Sequence, residues 1–376
     1  MFGNRIGIVG GGQLGRMLGF AAKKMGFYVM VTDPTPNSPA GQVVDHQIVA
    51  NYQDEKAIRE LGENSDFLTF EIELANAEIL KELSNKGLQI NPSAKTLGII
   101  KDKLEQKKFL QKAKVPTAKF MEVKSREDII KAGAKFGYPL MLKARFDAYD
   151  GRGNAVIKTK ENINQALIKL DGRRLYVEAW VKFEKELAVM VARSTSGDIK
   201  SFPVVETLHK NNICHLVFAP AQVKGKIIKN AQKLAKNVMK SLGGAGVFGI
   251  EMFLTDKGQV LINELAPRVH NSGHYTMEGC ATSQFEQHIR AITGMPLGDT
   301  KLIHPAVVMI NILGEREGIA QPDGLHMVHK LPGTSVHIYG KLETRPERKM
   351  GHITVVADDI NTAHKLALKA RKFVKI

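Results

Sequence analysis

Short β-type runs alternate with helical patterns over the first quarter of the chain. Residues 5–10, 28–33, 47–50 and 66–70 are rich in branched and aromatic side chains, whereas residues 14–24 and 54–61 carry apolar positions at helical spacing. This β-α-β-α order predicts a parallel sheet in an α/β domain over residues 1–100, with Asn91-Pro92-Ser93 as exit turn and helix cap. Residues 102–113 then read as a charged amphipathic helix, stopped before Val115-Pro116. A smaller α+β unit follows: strand 140–143, a glycine-rich turn at 147–153, strand 155–157, helix 161–169 and strand 175–181. Residues 101–183 are assigned to it, and residues 184–376 to a larger, antiparallel-looking α+β domain.

Composition narrows the class. Of 376 residues, 43% are hydrophobic and 24% charged, as in soluble globular proteins. The N-terminus is a strand entering a glycine turn, unlike a signal peptide, and no apolar run approaches the ~18 residues that span a bilayer. Cys214 and Cys280 cannot make a disulfide framework or a four-cysteine zinc site, which points to a reducing cytoplasm. The net charge of +16 suits either a nucleic-acid binder or a protein that handles small anions. Its Lys and Arg residues are spread along the chain, aromatic residues make up 6% of it, and no nucleic-acid motif is present. The expectation is therefore small anions, with no nucleic acid and no membrane as partner.

Five segments carry candidate chemistry. Gly10-Gly11-Gly12-Gln13-Leu14-Gly15 matches G-x-G-x-x-G between a strand and a helix, and Asp33 ends the next strand. That layout suits a dinucleotide, and it equally suits a tight α/β turn that binds nothing. Lys143 lies on a strand before a loop containing Tyr149, Asp150 and Arg152 among glycines. Such a loop can cradle phosphate beside a lysine charge, or simply turn a hairpin.

In the hairpin 247–264, Glu251 and Glu264 are equidistant from a midpoint between Lys257 and Gly258. Like charges facing across a ladder are destabilising, and a divalent cation removes that penalty; hard oxygen donors suit Mg²⁺. Two solvent-facing glutamates are the alternative, although flanking Ile250, Met252, Phe253, Leu261 and Ile262 suggest burial. Glu178, between apolar residues, and Glu186 read as a nucleotide-binding linker with a ribose acid, or as exposed acids of a strand. Lys341, Arg345, Arg348 and Lys349 crowd a loop that is either solvated or a phosphomonoester pocket. His209, His215, His270 and His274 lack zinc spacing, and G-x-S-x-G is absent, which argues against zinc enzymes and serine hydrolases.

Taken in order, G-G-G-Q-L-G-R-M, Y-D-G-R-G, I-N-E-L-A-P-R-V-H-N-S-G-H, S-Q-F-E-Q-H-I-R-A-I and R-P-E-R-K-M-G-H resemble the 5-(carboxyamino)imidazole ribonucleotide synthetase family of the ATP-grasp superfamily. The related formate-dependent glycinamide ribonucleotide transformylases read more like S-E-V-S-P-R-P-H-D-T-G at the corresponding strand end. The resemblance implies an ATP-grasp fold: an N-terminal Rossmann-like pre-ATP-grasp domain, a small lid and a larger C-terminal α+β domain.

It also implies a set of sites. ATP would lie against Lys103, Lys143, Ala148, Tyr149, Asp150, Gly151, Arg152, Gly153, Asn154, Glu178, Ala179, Trp180 and Val181. Glu186 would hold ribose, with His209 and Asn263 near the nucleotide, and Glu251 and Glu264 would bind Mg²⁺, or Mn²⁺ in its place. The ribonucleotide would meet Gln13, Tyr149, Asp150, Arg152, Arg268, Asn271 and Ser272, with its phosphate on Lys341 and Arg348. Lys143, Arg268 and Glu264 would carry the catalysis, and the glycine fingerprint would shape a substrate pocket and bind no NAD. The implied reaction carboxylates the amine of 5-aminoimidazole ribonucleotide with bicarbonate and ATP through carboxyphosphate, in purine biosynthesis, in a cytoplasmic homodimer. Three residues depart from the family pattern: Lys103 where arginine is frequent, and Ala148 and Glu347 where glycine is usual.

Overall fold

The computed structural model describes residues 3–147 and 153–376. A parallel five-stranded sheet opens the fold, in the spatial order His46–Val49, Tyr28–Asp33, Arg5–Val9, Phe67–Phe70, Gln89–Ile90. The strand order reverses beside Arg5–Val9, which creates a crevice at the carboxyl ends of Arg5–Val9 and Phe67–Phe70. Helix Gln13–Lys24 leaves that crevice at the glycine turn. The β-type runs fall on four of the strands, whereas Gln89–Ile90 is too short to carry a pattern.

A second, antiparallel sheet runs Phe120–Val123, Leu175–Ala179, Leu140–Ala144, Asn154–Ile157. Leu140, Leu142, Ile157 and Val177 pack under helices Arg126–Phe136 and Ile163–Lys169. The sequence pattern assigned no element to Arg126–Phe136. Gly133 weakens the helical signal there, and it is small because a Cβ would lie 2.4 Å from the Tyr138 hydroxyl. The capping box of Ser125 and Asp128 was the readable signal.

The third sheet is antiparallel and nine-stranded. Its path runs from the edge strand Val260–Ala266 through Gly246–Thr255, Phe183–Arg193, Val205–Lys210, Ile213–Ala219, Ala306–Leu313 and Lys349–Ala357 to Thr334–Ile338. Alternation along Phe183–Arg193 feeds two cores. Leu187, Val189 and Val191 face helix Gly225–Leu242, while Ala188, Met190 and Ala192 face helix Gln284–Ile292. The second of these cores also holds Ile6, Ile8, Leu14 and Leu18, so the N-terminal sheet and the large sheet share one apolar interior.

The open side of the edge strand is closed by side chains and a short parallel bridge. Ile262 N donates to Pro116 O (2.8 Å), Thr117 Oγ1 to Ile262 O (2.7 Å) and Lys107 Nζ to Asn263 O (2.8 Å). Gln106 meets Leu265 with both amide atoms, at 2.9 and 3.3 Å. An unpaired edge is thereby satisfied without another strand. Among the described residues no helix is long and apolar enough to cross a membrane.

Candidate functional site

The glycine turn binds the chain's own acids. Gly12 N donates to Glu71 Oε1 (2.6 Å), Gly15 N to Glu71 Oε2 (3.0 Å) and Gly11 N to Asp33 Oδ2 (2.9 Å). These are the donors a dinucleotide pyrophosphate would require. A Cβ on Gly12 would stand 2.7 Å from Glu71 Oε1, so the small residues serve an internal carboxylate. The dinucleotide alternative for this motif is therefore set aside. Burial raises the Glu71 carboxyl against the pull of the two N–H groups. Glu71→Ala is expected to orphan both donors and lower unfolding free energy by roughly 2–4 kcal/mol. Denaturant unfolding checks this, and a loss under about 0.5 kcal/mol would mean that the donors find other partners.

The hairpin brings the two predicted acids opposite each other, by a route the count did not foresee. Its outer ladder pairs Met252 with Ile262, Phe253 with Leu261 and Leu254 with Val260, centring the tip on Lys257. A regular continuation would set Asn263 opposite Glu251. A bulge at this point skips Asn263 and pairs Glu251 with Glu264. Burial, and then Glu264, push the Glu251 carboxyl up to about 7. The Asn263 side-chain oxygen is buried with no hydrogen-bond partner among the described residues. A pair that resists double ionisation, beside an orphaned oxygen, fits a hard divalent cation. Among the described residues no group of three or more acids, His or Cys could hold a metal ion, and His270 Nε2 lies 3.6 Å from Glu251 Oε1.

Helix Lys103–Lys112 points one face at this pair. Lys103 Nζ, buried, forms an ion pair with Glu264 and lies 4.0 Å from Glu73. One turn on, Lys107 Nζ meets Glu178 Oε1 (3.1 Å) and Thr117 Oγ1 (2.9 Å). Lys143 Nζ takes the other Glu178 oxygen at 3.2 Å, and the Tyr176 hydroxyl donates to Oε1 at 3.0 Å. Burial alone would raise Glu178; Lys107 and Lys143 outweigh it and hold the carboxyl at about 2. Its carboxylate is thus fully engaged within the protein. Lys107 was missed in the sequence, although two lysines four residues apart on a helix share a face.

The remaining nucleotide candidates lie alongside. His209 Nδ1 is 2.8 Å from Glu186 Oε2, and in the strand register Ala188, two residues after Glu186, pairs with Glu251. Burial lowers His209, and Glu186 more than restores it, so its pKa is raised. Ala179, Trp180 and Val181 lead out of strand Leu175–Ala179, with Trp180 exposed. Gly153 precedes strand Asn154–Ile157, which pairs with Leu140–Ala144, and Gly153 O accepts from Ala144 N at 2.8 Å. Ala148, Tyr149, Asp150, Gly151 and Arg152 lie outside the described residues.

Past the hairpin, Arg268 reaches across to Glu73 (3.2 Å), and its Nε is buried without a partner among the described residues. Asn271 exchanges amide bonds with Asn311 at 2.7 and 3.0 Å, and Ser272 Oγ lies 2.9 Å from His270 Nδ1. Both residues are buried and committed to neighbours, whereas Arg268 faces the charged cleft. Gln13 begins the helix above it, half-buried.

Lys341 Nζ donates to Lys349 O at 2.6 Å; burial, with Arg348 nearby, pushes the ammonium down to about 7. Arg348 donates to Glu343 O at 2.6 Å. Glu347 adopts φ +67°, a backbone region that glycine enters freely, and is held by Asn211 at 2.8 Å. The turn geometry that a glycine would supply is therefore kept at this departure from the family pattern.

Comparison with known proteins agrees along the chain. Residues 3–101 match a ribonucleotide synthetase preATP-grasp domain, residues 108–285 an ATP-grasp domain and residues 307–366 a phosphoribosylaminoimidazole carboxylase C-terminal domain. The chain is 47% identical to phosphoribosylaminoimidazole carboxylase of Ogataea methanolica over 94% of its own length, and spans 67% of that protein. It spans 65% of the corresponding proteins of Candida glabrata and Candida albicans, about two thirds of their length. The solved N5-carboxyaminoimidazole ribonucleotide synthetase of Thermotoga maritima is 48% identical and superposes with a TM-score of 0.90, covering 99% of both chains. An Aspergillus clavatus N5-carboxyaminoimidazole synthase solved with ADP and 5-aminoimidazole ribonucleotide is 36% identical, with a TM-score of 0.91 over 98% of both chains.

Proposed function

The chain belongs to the N5-carboxyaminoimidazole ribonucleotide synthetase family of ATP-grasp ligases, and from that membership we propose that it carboxylates the exocyclic amine of 5-aminoimidazole ribonucleotide, using bicarbonate and ATP. The observation that carries the proposal is the seam where Glu264, register-paired with Glu251, holds Lys103, beside Lys107 and Lys143 on Glu178 and Arg268 on Glu73. Cations arrayed around paired carboxylates suit a polyphosphate and a small anionic intermediate.

Bicarbonate is a poor electrophile. Attack of its oxygen on the γ-phosphorus breaks the bond to ADP and gives carboxyphosphate, whose carbon now bears a leaving group. The amine then attacks that carbon, phosphate departs, and the nitrogen loses a proton to yield the carbamate. Lys103 and Lys143 would neutralise the phosphates, and Arg268 would hold the carboxylate being transferred. Glu251 and Glu264 would hold a magnesium ion, which supplies further neutralisation of phosphate charge when bound.

Glu178, saturated by Lys107, Lys143 and Tyr176, would serve the nucleotide through the backbone of the Ala179–Val181 stretch and leave Glu186 and His209 for the ribose. Gln13 and Arg268 would meet the imidazole ribonucleotide on a floor shaped by Asn271 and Ser272. Lys341 and Arg348 would take its phosphate, a dianion that favours the protonated form of a lysine held near 7. A homodimer, a cytoplasmic setting and a role in purine biosynthesis are proposed on the family resemblance.

The test is ADP release, which is expected to require 5-aminoimidazole ribonucleotide, bicarbonate and Mg²⁺ together. Release that ignores the imidazole substrate, or that glycinamide ribonucleotide with formate supports equally well, would defeat the proposal. Trp180 is the single tryptophan of the chain and stands at the proposed nucleotide linker, so its fluorescence is expected to change on titration with ADP.

A further inference from the structure

A buried ion pair joins the two elements that each supply a lysine to the proposed nucleotide site. Arg145 Nε and NH2 grip both oxygens of Asp102, at 3.0 and 2.5 Å, and both residues are buried. The remaining guanidinium nitrogen reaches Glu122 at 3.0 Å. A backbone bond doubles the junction, with Lys103 N donating to Arg145 O at 2.8 Å. Asp102 is also the N-cap of helix Lys103–Lys112, accepting from Leu104 N at 3.0 Å. Lys103 is its immediate neighbour in sequence. Arg145 follows Lys143 by two positions, just past the end of strand Leu140–Ala144.

We propose that Asp102 and Arg145 form a positioning unit for the nucleotide. The pair locks the lid strand that carries Lys143 to the central helix that carries Lys103, so both ammonium groups are held at one polyphosphate. A two-point guanidinium–carboxylate fork fixes orientation as well as distance, which a lysine or a neutral amide in either position does not. The distance from Lys103 to Lys143 is thereby set before any nucleotide arrives. The inference rests on the proposed nucleotide site.

Asp102→Asn tests it cleanly, because asparagine caps a helix as well as aspartate does while removing the charge that Arg145 grips. Arg145→Lys is the second variant, keeping a cation but losing the fork. Each is expected to raise KM for ATP, and the dissociation constant for ADP read from Trp180 fluorescence, by roughly tenfold to a hundredfold, the effect of small misplacements of reacting groups. KM for 5-aminoimidazole ribonucleotide is expected to stay within about twofold, and the double variant to be no worse than the poorer single one, as for partners in one contact. A purely structural pair would instead lower kcat with the folded fraction and leave the ADP constant of the folded protein unchanged; that result, or additive effects, overturns the inference. Should the wild-type protein show no ADP release dependent on the imidazole substrate, the proposed function fails, while the ADP titration still decides the positioning unit.

Discussion

Glu264→Ala is expected to reduce turnover by roughly a thousandfold, the upper range for losing one preorganised electrostatic partner. Glu264 is the register partner of Glu251 and the ion-pair partner of Lys103. Its loss removes half of the proposed metal pair and leaves the buried Lys103 with Glu73 at 4.0 Å. The melting temperature is therefore expected to fall along with activity, since stranding one member of a buried pair is costly.

Glu251→Gln makes the contrasting case. Burial and the neighbouring Glu264 already resist ionisation of Glu251, so an uncharged amide is expected to leave the metal-free protein as stable as before, or more so, while turnover still collapses. Activity above about a tenth of wild type in both variants would remove the pair from the chemistry; equal melting shifts would remove the electrostatic account of it.

Acid is expected to unfold this protein through its buried histidines. His288 is fully buried: Val247 N donates to Nδ1 at 3.0 Å, so Nε2 carries the proton toward Thr69 Oγ1 at 2.9 Å. His274 is in the same position. The Gln284 amide is oriented by His270 N and O, so its nitrogen donates to His274 Nδ1 at 3.1 Å. Protonating either Nδ1 sets a donor against a donor. Burial pushes both imidazoles down to about 3; for His274, facing His337, Lys349 and Arg268 adds to the effect.

The sign follows from the unfolded chain, which takes up protons near 6.5 while the native state refuses them. The stabilisation is whole above 6.5 and is lost progressively as pH falls toward 3. Between pH 7 and 5 each histidine should cost about 2 kcal/mol. Glu251, raised to about 7, acts in the opposite sense, so each share is read as the difference between wild type and His288→Gln or His274→Gln in urea unfolding at the two pH values. Parallel pH dependence in wild type and variants would refute the assignment.

The sequence made the parallel N-terminal sheet legible because strand and helix periods alternate there with glycine turns between them. The acid pair of the hairpin was legible too, although the symmetric count succeeded only because the bulge at Asn263 offsets a tip centred one half-step away. Other features were hidden for one physical reason. Glu71, Lys107, Asp102 and Arg145 are charged residues whose meaning lies in partners far along the chain: 43 residues for Arg145 with Asp102, 56 and 59 for Glu71 with the glycine turn, and 71 (178 − 107) for Lys107 with Glu178. Until those partners are known, a buried charge and a solvated one look alike. Asn271 and Ser272 show the converse, polar residues whose pattern suggested a ligand and whose side chains in the structure are engaged with Asn311 and His270.

The side-chain closure of the edge strand has a consequence for synthesis. Lys103, Gln106 and Lys107 precede the groups they satisfy, Glu264, Leu265 and Asn263, by 161, 159 and 156 residues. At ordinary translation speeds that separation corresponds to about 8–30 seconds on the ribosome. Throughout that interval helix Lys103–Lys112 lacks strand Val260–Ala266 to cover, and its polar face has only earlier partners: Glu73, Ile100, Thr117 and then Glu178. The same lysines and glutamine that later close the site keep the nascent helix soluble while it waits.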